Sequence, residues 1–277
     1  MKRNRIGQEL DCLRRTEGSE TNTLPKQDPQ GLERRYKQFI SSEYLVNDFI
    51  IHDPVQFPRR YAGRGDEQRA NIEIAAFLAA TIAWGRRDLI LCSAKKMFSL
   101  MEPDPATFVM AGNYRKLKDR CIHRTFFEND LKYFCRGFRS CYDQYGSLEK
   151  LFAAAPDIWQ GIALFREEMA AANAGRYTKH IANPGRPDSA TGSACKRINL
   201  ALRWLVRKGP VDLGLWKSIS PSSLYIPLDV HVARSARRLG LLERKSNDKK
   251  AVIELSQKLR KLCPDDPVKY DFVLFGM

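Results

Sequence analysis

Apolar residues occupy nearly every position from Asn71 to Trp84, so this segment lacks the polar face of a surface helix. A helix that is hydrophobic all round is a buried one, and the segment predicts a central helix that ends at Gly85. Four later segments place apolar residues three or four positions apart, which is typical of a helix with one buried face. Their apolar positions are 131, 134, 138 and 141; 158, 162, 165 and 169; 194, 198, 202 and 205; and 252, 255, 259 and 262. The pattern predicts an all-α protein.

The first 34 residues differ from this helical body. Residues 1–34 are polar and charged and show little periodicity, which predicts a flexible tail before a helical domain of residues 35–277. A loop that contains Gly, Pro, Asn and Ser runs from Arg176 to Gly192 and is the longest interior break in the helical pattern.

The net charge of the chain indicates the chemical class of its binding partner. The chain has 47 Lys and Arg against 32 Asp and Glu, which gives a formal net charge of +15. This excess favours an anionic partner, nucleic acid first and an acidic membrane surface second, while the plain alternative is a soluble basic protein. No apolar run approaches the roughly 20 residues of a membrane span, so we expect no membrane association.

Cysteine usage argues against a cofactor. The seven cysteines are scattered, and neither a Cys-x-x-Cys pair nor a His pair at zinc-ligand spacing occurs. We therefore expect no metal, no cofactor and a reduced, cytoplasmic protein with buried thiols.

One lysine opens the helix that follows the long loop. At 100° per residue, Ile198 and Leu202 lie on one side of this helix, whereas Lys196, Arg203 and Arg207 lie on the opposite side. The phase predicts a cationic strip that faces away from the core, and the plain alternative is an ordinary solvated helix face. A first-turn lysine opposes the helix dipole, so local stability does not explain it.

One aspartate stands before a later helix. Asp229 follows Pro227 and precedes a helical stripe, which predicts an N-cap, and capping alone would explain this residue. Together with Lys196, Asp229 suggests a catalytic pair. A lysine nucleophile needs a neutral amine, which neighbouring cations such as Arg197 favour, and a carboxylate stabilises a developing positive charge or relays a proton.

Five segments carry a resemblance to known proteins. They read SACKRINLALRWLVRKG, LYIPLDVHVARSARRLGLL, DPVKYDFVLFG, NIEIAAFLAATIAWGRR and HRTFFENDLKYF. With them, nearly everything after about Tyr36 resembles an uncharacterised bacterial family (DUF2400), which is distantly similar to the helix-hairpin-helix (HhH-GPD) DNA glycosylases. The resemblance implies two helical lobes with a central groove, in which Lys196 and Asp229 face one another.

The resemblance also implies a reaction. Lys196 matches the superfamily lysine that forms a Schiff base with deoxyribose C1′, and Leu228-Asp229-Val230-His231 matches the motif of the assisting aspartate. The expected function is base-excision repair of damaged double-stranded DNA by a glycosylase, with AP-lyase activity as a further expectation. The separation of 33 residues (229 − 196) resembles that of archaeal enzymes that remove 8-oxoguanine, which favours an oxidised purine.

Alternatives to catalysis stay open at this point. The usual Leu-Pro-Gly-x-Gly hairpin is absent, and the loop from Arg176 to Gly192 stands in its place. A non-catalytic nucleic-acid binder that keeps the glycosylase-like fold is the alternative function, and the sequence does not indicate an oligomeric state. Trp84 is expected in a base pocket, as a duplex wedge or simply in the core. The residues expected to contact DNA are Arg86, Arg197, Arg203, Arg207, His231 and Arg234.

Overall fold

The computed structural model describes residues 29–63, 65–186 and 191–277. The described residues form thirteen α-helices: α1 (Pro29–Ser41), α2 (Glu43–Ile51), α3 (Gln56–Arg59), α4 (Arg69–Thr81), α5 (Arg87–Ser99), α6 (Pro105–Met110), α7 (Glu128–Tyr145), α8 (Leu148–Ala153), α9 (Ile158–Ala171), α10 (Lys196–Val206), α11 (Val230–Arg238), α12 (Lys249–Leu262) and α13 (Asp271–Gly276). The prediction of a mostly helical protein is confirmed, and the four predicted stripes lie on α7, α9, α10 and α12.

Among the described residues, β-structure is confined to one small hairpin and two isolated bridges. Strands β1 (Cys121–His123) and β2 (Phe126–Phe127) pair antiparallel, with His123 opposite Phe126. Arg124 turns the chain between them with a φ of 53°, in the left-handed region. The β1 strand packs against α5, which places His123 beside the end of the central helix.

Helix α4 is the central helix that the apolar run predicts. Every residue from Asn71 to Thr81 is buried, and α4 packs against α3, α6 and α10. Alanines at positions 75, 76, 79 and 80 keep much of its surface small, so neighbouring helices approach closely and fill the interior.

A buried carboxylate on α4 ties several elements together. Glu73 accepts hydrogen bonds from the Tyr142 hydroxyl at 2.5 Å, the Leu148 backbone N–H at 3.0 Å and the Trp216 indole N–H at 2.8 Å. Arg69 Nε lies 3.6 Å from the same carboxylate. Burial raises the pKa of Glu73, while these donors oppose that effect. The interaction joins α4 to α7, to α8 and to the segment after α10.

The structure revises one expectation about the organisation of the chain, the end of the tail, and leaves the expected division into two lobes untested. Helix α1 begins at Pro29, so the last six residues of the predicted tail, 29–34, are helical, while residues 1–28 lie outside the described ranges. The buried apolar side chains form one continuous cluster from Leu32 to Leu274, and the division into two lobes with a central groove stays a prediction. No helix within the described ranges is both long and apolar enough to span a bilayer.

Replacing Glu73 should destabilise the whole fold. Glu73→Ala leaves three buried donors without their acceptor, so we expect the free energy of unfolding to fall by about 3 kcal/mol in urea denaturation. Glu243→Ala is the matched control, because Glu243 forms an exposed ion pair with Lys258 and its loss should cost less than about 1 kcal/mol. Similar losses in the two variants would contradict the role given to Glu73.

Candidate active site

The site begins where α10 meets the C-terminal end of α4. Lys196 Nζ donates to the Ala83 carbonyl at 3.0 Å, and Arg197 Nη1 donates to the Thr81 carbonyl at 2.9 Å. Carbonyls at a helix C-terminus carry partial negative charge and attract cations. The end of α4 therefore compensates the placement of a lysine in the first turn of α10, which sequence reasoning left unexplained.

Asp229 caps α11 and faces Lys196. Its Oδ1 accepts from the backbone N–H groups of His231 and Val232, both at 2.9 Å, which confirms the predicted N-cap. Its Oδ2 lies 3.9 Å from Lys196 Nζ. The side chains of Lys196 and Asp229 keep 28% and 16% of their surface exposed, so the pair is open to a ligand from solvent. The structure thus brings together two residues that lie 33 positions apart (229 − 196) in the chain.

Lys196 also lines a cavity of about 620 Å³. Phe77, Phe134 and Phe165 belong to its lining and are buried, so they form an aromatic floor. Cys195 lines it as well, but burial raises the pKa of that thiol to about 11, so the thiol is protonated at neutral pH and is a poor nucleophile. Lys196, which faces Asp229, is therefore a better nucleophile candidate in this cavity than Cys195.

Trp84 forms part of the cavity wall. Its ring lies 4.7 Å from the His123 ring in edge-on contact, 5.4 Å from the His180 ring in stacked contact, and 5.2 Å from Arg197 Cζ. His123 Nε2 contacts the Trp84 carbonyl at 2.9 Å and fixes the backbone there. These neighbours hold the indole in the cavity wall, where it packs against the core and does not project as a wedge.

The predicted cationic strip on α10 is wrong beyond its first turn. Arg203 pairs with Asp212 at 3.3 Å and with Asp271, and Arg207 pairs with Asp212 at 2.9 Å and with Asp266 at 2.8 Å. Both arginines are buried, at 2% exposure each. The segment after α10 and the start of α13 cover this helix face with carboxylates, so neither arginine faces solvent or DNA.

This buried cluster holds more acidic than basic groups. Arg203 and Arg207 face Asp212, Asp266 and Asp271, and the charge of Asp53 also acts on Arg203. Burial raises the pKa of Asp271 to about 7; Arg203 opposes the shift and Asp229 adds to it. The cluster therefore holds a proton near neutral pH and borders the Lys196–Asp229 pair.

Sequence reasoning missed the acidic part of this cluster. Asp271 is the first residue of α13, where an acidic side chain is ordinarily explained by the helix dipole, and Asp53 stands before a proline turn. No local pattern marks either carboxylate. The signal available in the sequence was the arginine pair of α10, which requires acidic partners once it is buried.

The other predicted DNA contacts lie on the surface. Arg86 is exposed and pairs with Asp88, with contacts of 3.1 and 2.5 Å. His231 and Arg234 are exposed on α11. The His231 ring contacts Phe275 at 5.8 Å, so its backbone N–H, rather than its ring, supports Asp229.

The loop that replaces the expected hairpin is tightly built in its described parts. Gly185 has a φ of 73°, and a Cβ there would lie 1.8 Å from the Thr191 carbonyl oxygen. The Ser193 N–H donates to the Asn183 carbonyl at 2.9 Å, and the Gly192 carbonyl accepts from the first residue of α12. Residues 187–190 lie outside the described ranges. These contacts lead the chain into α10 and set the position of Lys196.

A family model described as "Protein of unknown function (DUF2400)" matches residues 53–277. The chain belongs to this DUF2400 family. The matched range includes α3 to α13, the Lys196–Asp229 pair and the whole cavity lining. Neither a curated protein nor a solved structure matches the chain.

Asp271→Asn should flatten the pH dependence of stability. The pKa of Asp271 rises from 3.8 to about 7 on folding, so the folded protein binds this proton more strongly than the unfolded chain does. Its stabilising contribution is full below about pH 4 and is lost as the pH rises to about 7. Asparagine does not titrate, so the variant lacks this loss. Urea denaturation across that window measures it, and identical pH profiles for the two proteins would contradict the assignment.

Proposed function

We propose that this DUF2400 protein is a DNA-binding base-excision glycosylase that uses Lys196 as its nucleophile. One observation carries the proposal. The Lys196 amine lies 3.9 Å from the Asp229 carboxylate and at the wall of a cavity of about 620 Å³, large enough for an extruded base. The motifs around Lys196 and Asp229 that resemble those of HhH-GPD glycosylases support the same proposal, and with them an oxidised purine is the lesion that we propose.

The chemistry needs only these two side chains. Asp229 accepts a proton from the Lys196 ammonium, and the free amine attacks C1′ of the extruded nucleoside. As the N–C1′ bond forms, the glycosidic bond breaks, and the base departs with the bonding electrons and takes the proton that Asp229 holds. The Asp229 carboxylate regenerated in this way stabilises the positive charge on the sugar and its attached amine. The amine then gives a proton to the ring oxygen as the sugar ring opens, which yields the protonated Schiff base, from which β-elimination would provide AP-lyase activity.

The surface around the pair suits a duplex. Arg86 lies just before α5 and Arg234 lies on α11, and both are exposed. Arg87 Cζ lies 5.3 Å from the Phe275 ring, which also contacts His231, so the start of α5 and α11 meet around α13. We assign Arg86 and Arg234 to contacts with DNA phosphates and His231 to a hydrogen bond with the duplex backbone, because contacts to phosphate and sugar position a duplex without reading its sequence.

Borohydride trapping tests the lysine. Wild-type protein should form a covalent adduct with duplexes that carry 8-oxoguanine or an abasic site, while Lys196→Ala should form none and Lys250→Ala, at an exposed lysine on α12, should match wild type. Asp229→Asn should form the adduct about 100-fold more slowly, because asparagine still caps α11 but carries no charge.

Two results would contradict the catalytic proposal. One is the absence of adduct from wild type across a broad lesion panel. The other is an undiminished adduct from Lys196→Ala, which would assign the chemistry to another amine.

The second candidate function is a non-catalytic DNA binder, which the exposed cations favour independently of any chemistry. Arg86→Gln and Arg234→Gln should each weaken duplex binding and lower the slope of log affinity against log salt by about one. Asp88→Asn should strengthen binding, because it removes the carboxylate that pairs with Arg86. Fluorescence anisotropy across a salt series measures both effects. Affinity that does not change with salt would exclude DNA binding through phosphates, whether catalytic or not.

A further inference from the structure

Arg197 is a half-buried cation that forms no ion pair with a carboxylate of the described residues. Among the described residues, its guanidinium makes one hydrogen bond, to the Thr81 carbonyl, and contacts the Trp84 ring, while no carboxylate pairs with it. Burial lowers the pKa of Arg197 because the charged form is desolvated. A buried charge of this kind is costly unless an anion compensates it. Its position in the cavity lining indicates where such an anion would bind.

The charge of the cavity lining points the same way. Lys179, Lys196 and Arg197 all belong to it, and its described residues include no Asp or Glu. Lys196 is engaged by Asp229, whereas Lys179 is exposed and forms no ion pair with any described carboxylate. The first turn of α10 also lines the cavity and adds the positive end of a helix dipole. The cavity is therefore built for a negatively charged group.

The same cavity has an apolar floor and is larger than a small ion requires. Its floor of Phe77, Phe134 and Phe165 suits a flat aromatic group. Its volume of about 620 Å³ lies within the range of pockets that enclose whole organic ligands. A ligand that combines an aromatic ring with an anionic group would contact both the aromatic floor and the cationic residues of the lining.

We propose that this cavity binds a nucleoside monophosphate, with the base on the aromatic floor and the phosphate on Arg197 and Lys179. A planar guanidinium binds two phosphate oxygens at once, and the nearby lysine adds a point charge. The nucleotide comes either from solution or from an extruded position in DNA. The DNA source rests on the proposed function, whereas binding of a free nucleotide is independent of it.

Calorimetric titration of the full chain tests the free source. Deoxyguanosine monophosphate should bind more tightly than either deoxyguanosine or orthophosphate, because deoxyguanosine lacks the anionic group and orthophosphate lacks the aromatic ring. Arg197→Gln should weaken nucleotide binding about tenfold or more, and Arg197→Lys should fall between this variant and wild type, since it keeps the charge but loses the bidentate geometry. Lys250→Ala is the control, because Lys250 is exposed, lies outside the cavity lining and should leave nucleotide affinity unchanged.

Duplex binding tests the DNA source. Arg197→Gln should weaken binding to a duplex that carries a lesion and leave binding to an intact duplex unchanged, since only an extruded nucleotide reaches Arg197. A lesion-specific loss without binding of free nucleotide would assign the site to DNA alone. Thermal melting verifies that each variant is folded, and the Arg197→Lys protein keeps the test valid if Arg197→Gln does not fold.

Three results would overturn the inference. The first is the absence of nucleotide binding together with a lesion duplex affinity that does not depend on Arg197. The second is orthophosphate binding as tight as that of the nucleotide, which would leave no role for the aromatic floor. The third is an equal loss of nucleotide affinity in Arg197→Gln and Lys250→Ala. None of these readouts requires covalent chemistry, so a failed borohydride experiment would leave the nucleotide site standing.

Discussion

The contact between the start of α10 and the C-terminal end of α4 determines the rest of the site. Two backbone carbonyls, of Thr81 at the end of α4 and of Ala83 just after it, accept hydrogen bonds from Arg197 and Lys196. This contact directs Lys196 toward Asp229 and Arg197 onto the Trp84 ring. Because α4 is buried along its length, these carbonyls have fixed positions, and so do the cations that bind them.

The chain divides its positive charge between two environments. Arg203 and Arg207 neutralise carboxylates inside the protein, whereas Arg86 and Arg234 remain on the surface. The formal charge of +15 does not distinguish these roles. The internal arginines hold α13 and the segment after α10 in place, and burial, to which the charges of Asp229 and Asp212 add, raises the pKa of Asp271 beside the Lys196–Asp229 pair. Helix α10 therefore carries both Arg203, which pairs with buried carboxylates, and Lys196 of the candidate site.

Family membership and geometry bear on the proposed function in different ways. The DUF2400 match covers the residues of the site but assigns them no chemistry. The geometry supplies a lysine, a carboxylate and a cavity whose described lining is free of acidic residues. In the proposed reaction, the lysine and the carboxylate take part in the attack on the sugar carbon, and the cavity accommodates the extruded nucleotide. The proposal therefore depends on their adjacency more than on any one residue.

The sequence by itself determined the helical class, the buried central helix and the cap at Asp229, because these follow from periodicity and from side-chain chemistry within a few residues. It also pointed to Lys196 and Asp229 as a pair, through resemblance. Only the tertiary structure decided that Arg203 and Arg207 are buried, that Trp84 lies in a cavity wall and that Asp271 borders the site. Helical phase reports which face of a helix is opposite its apolar stripe. Whether solvent or another segment covers that face depends on residues far away in the chain.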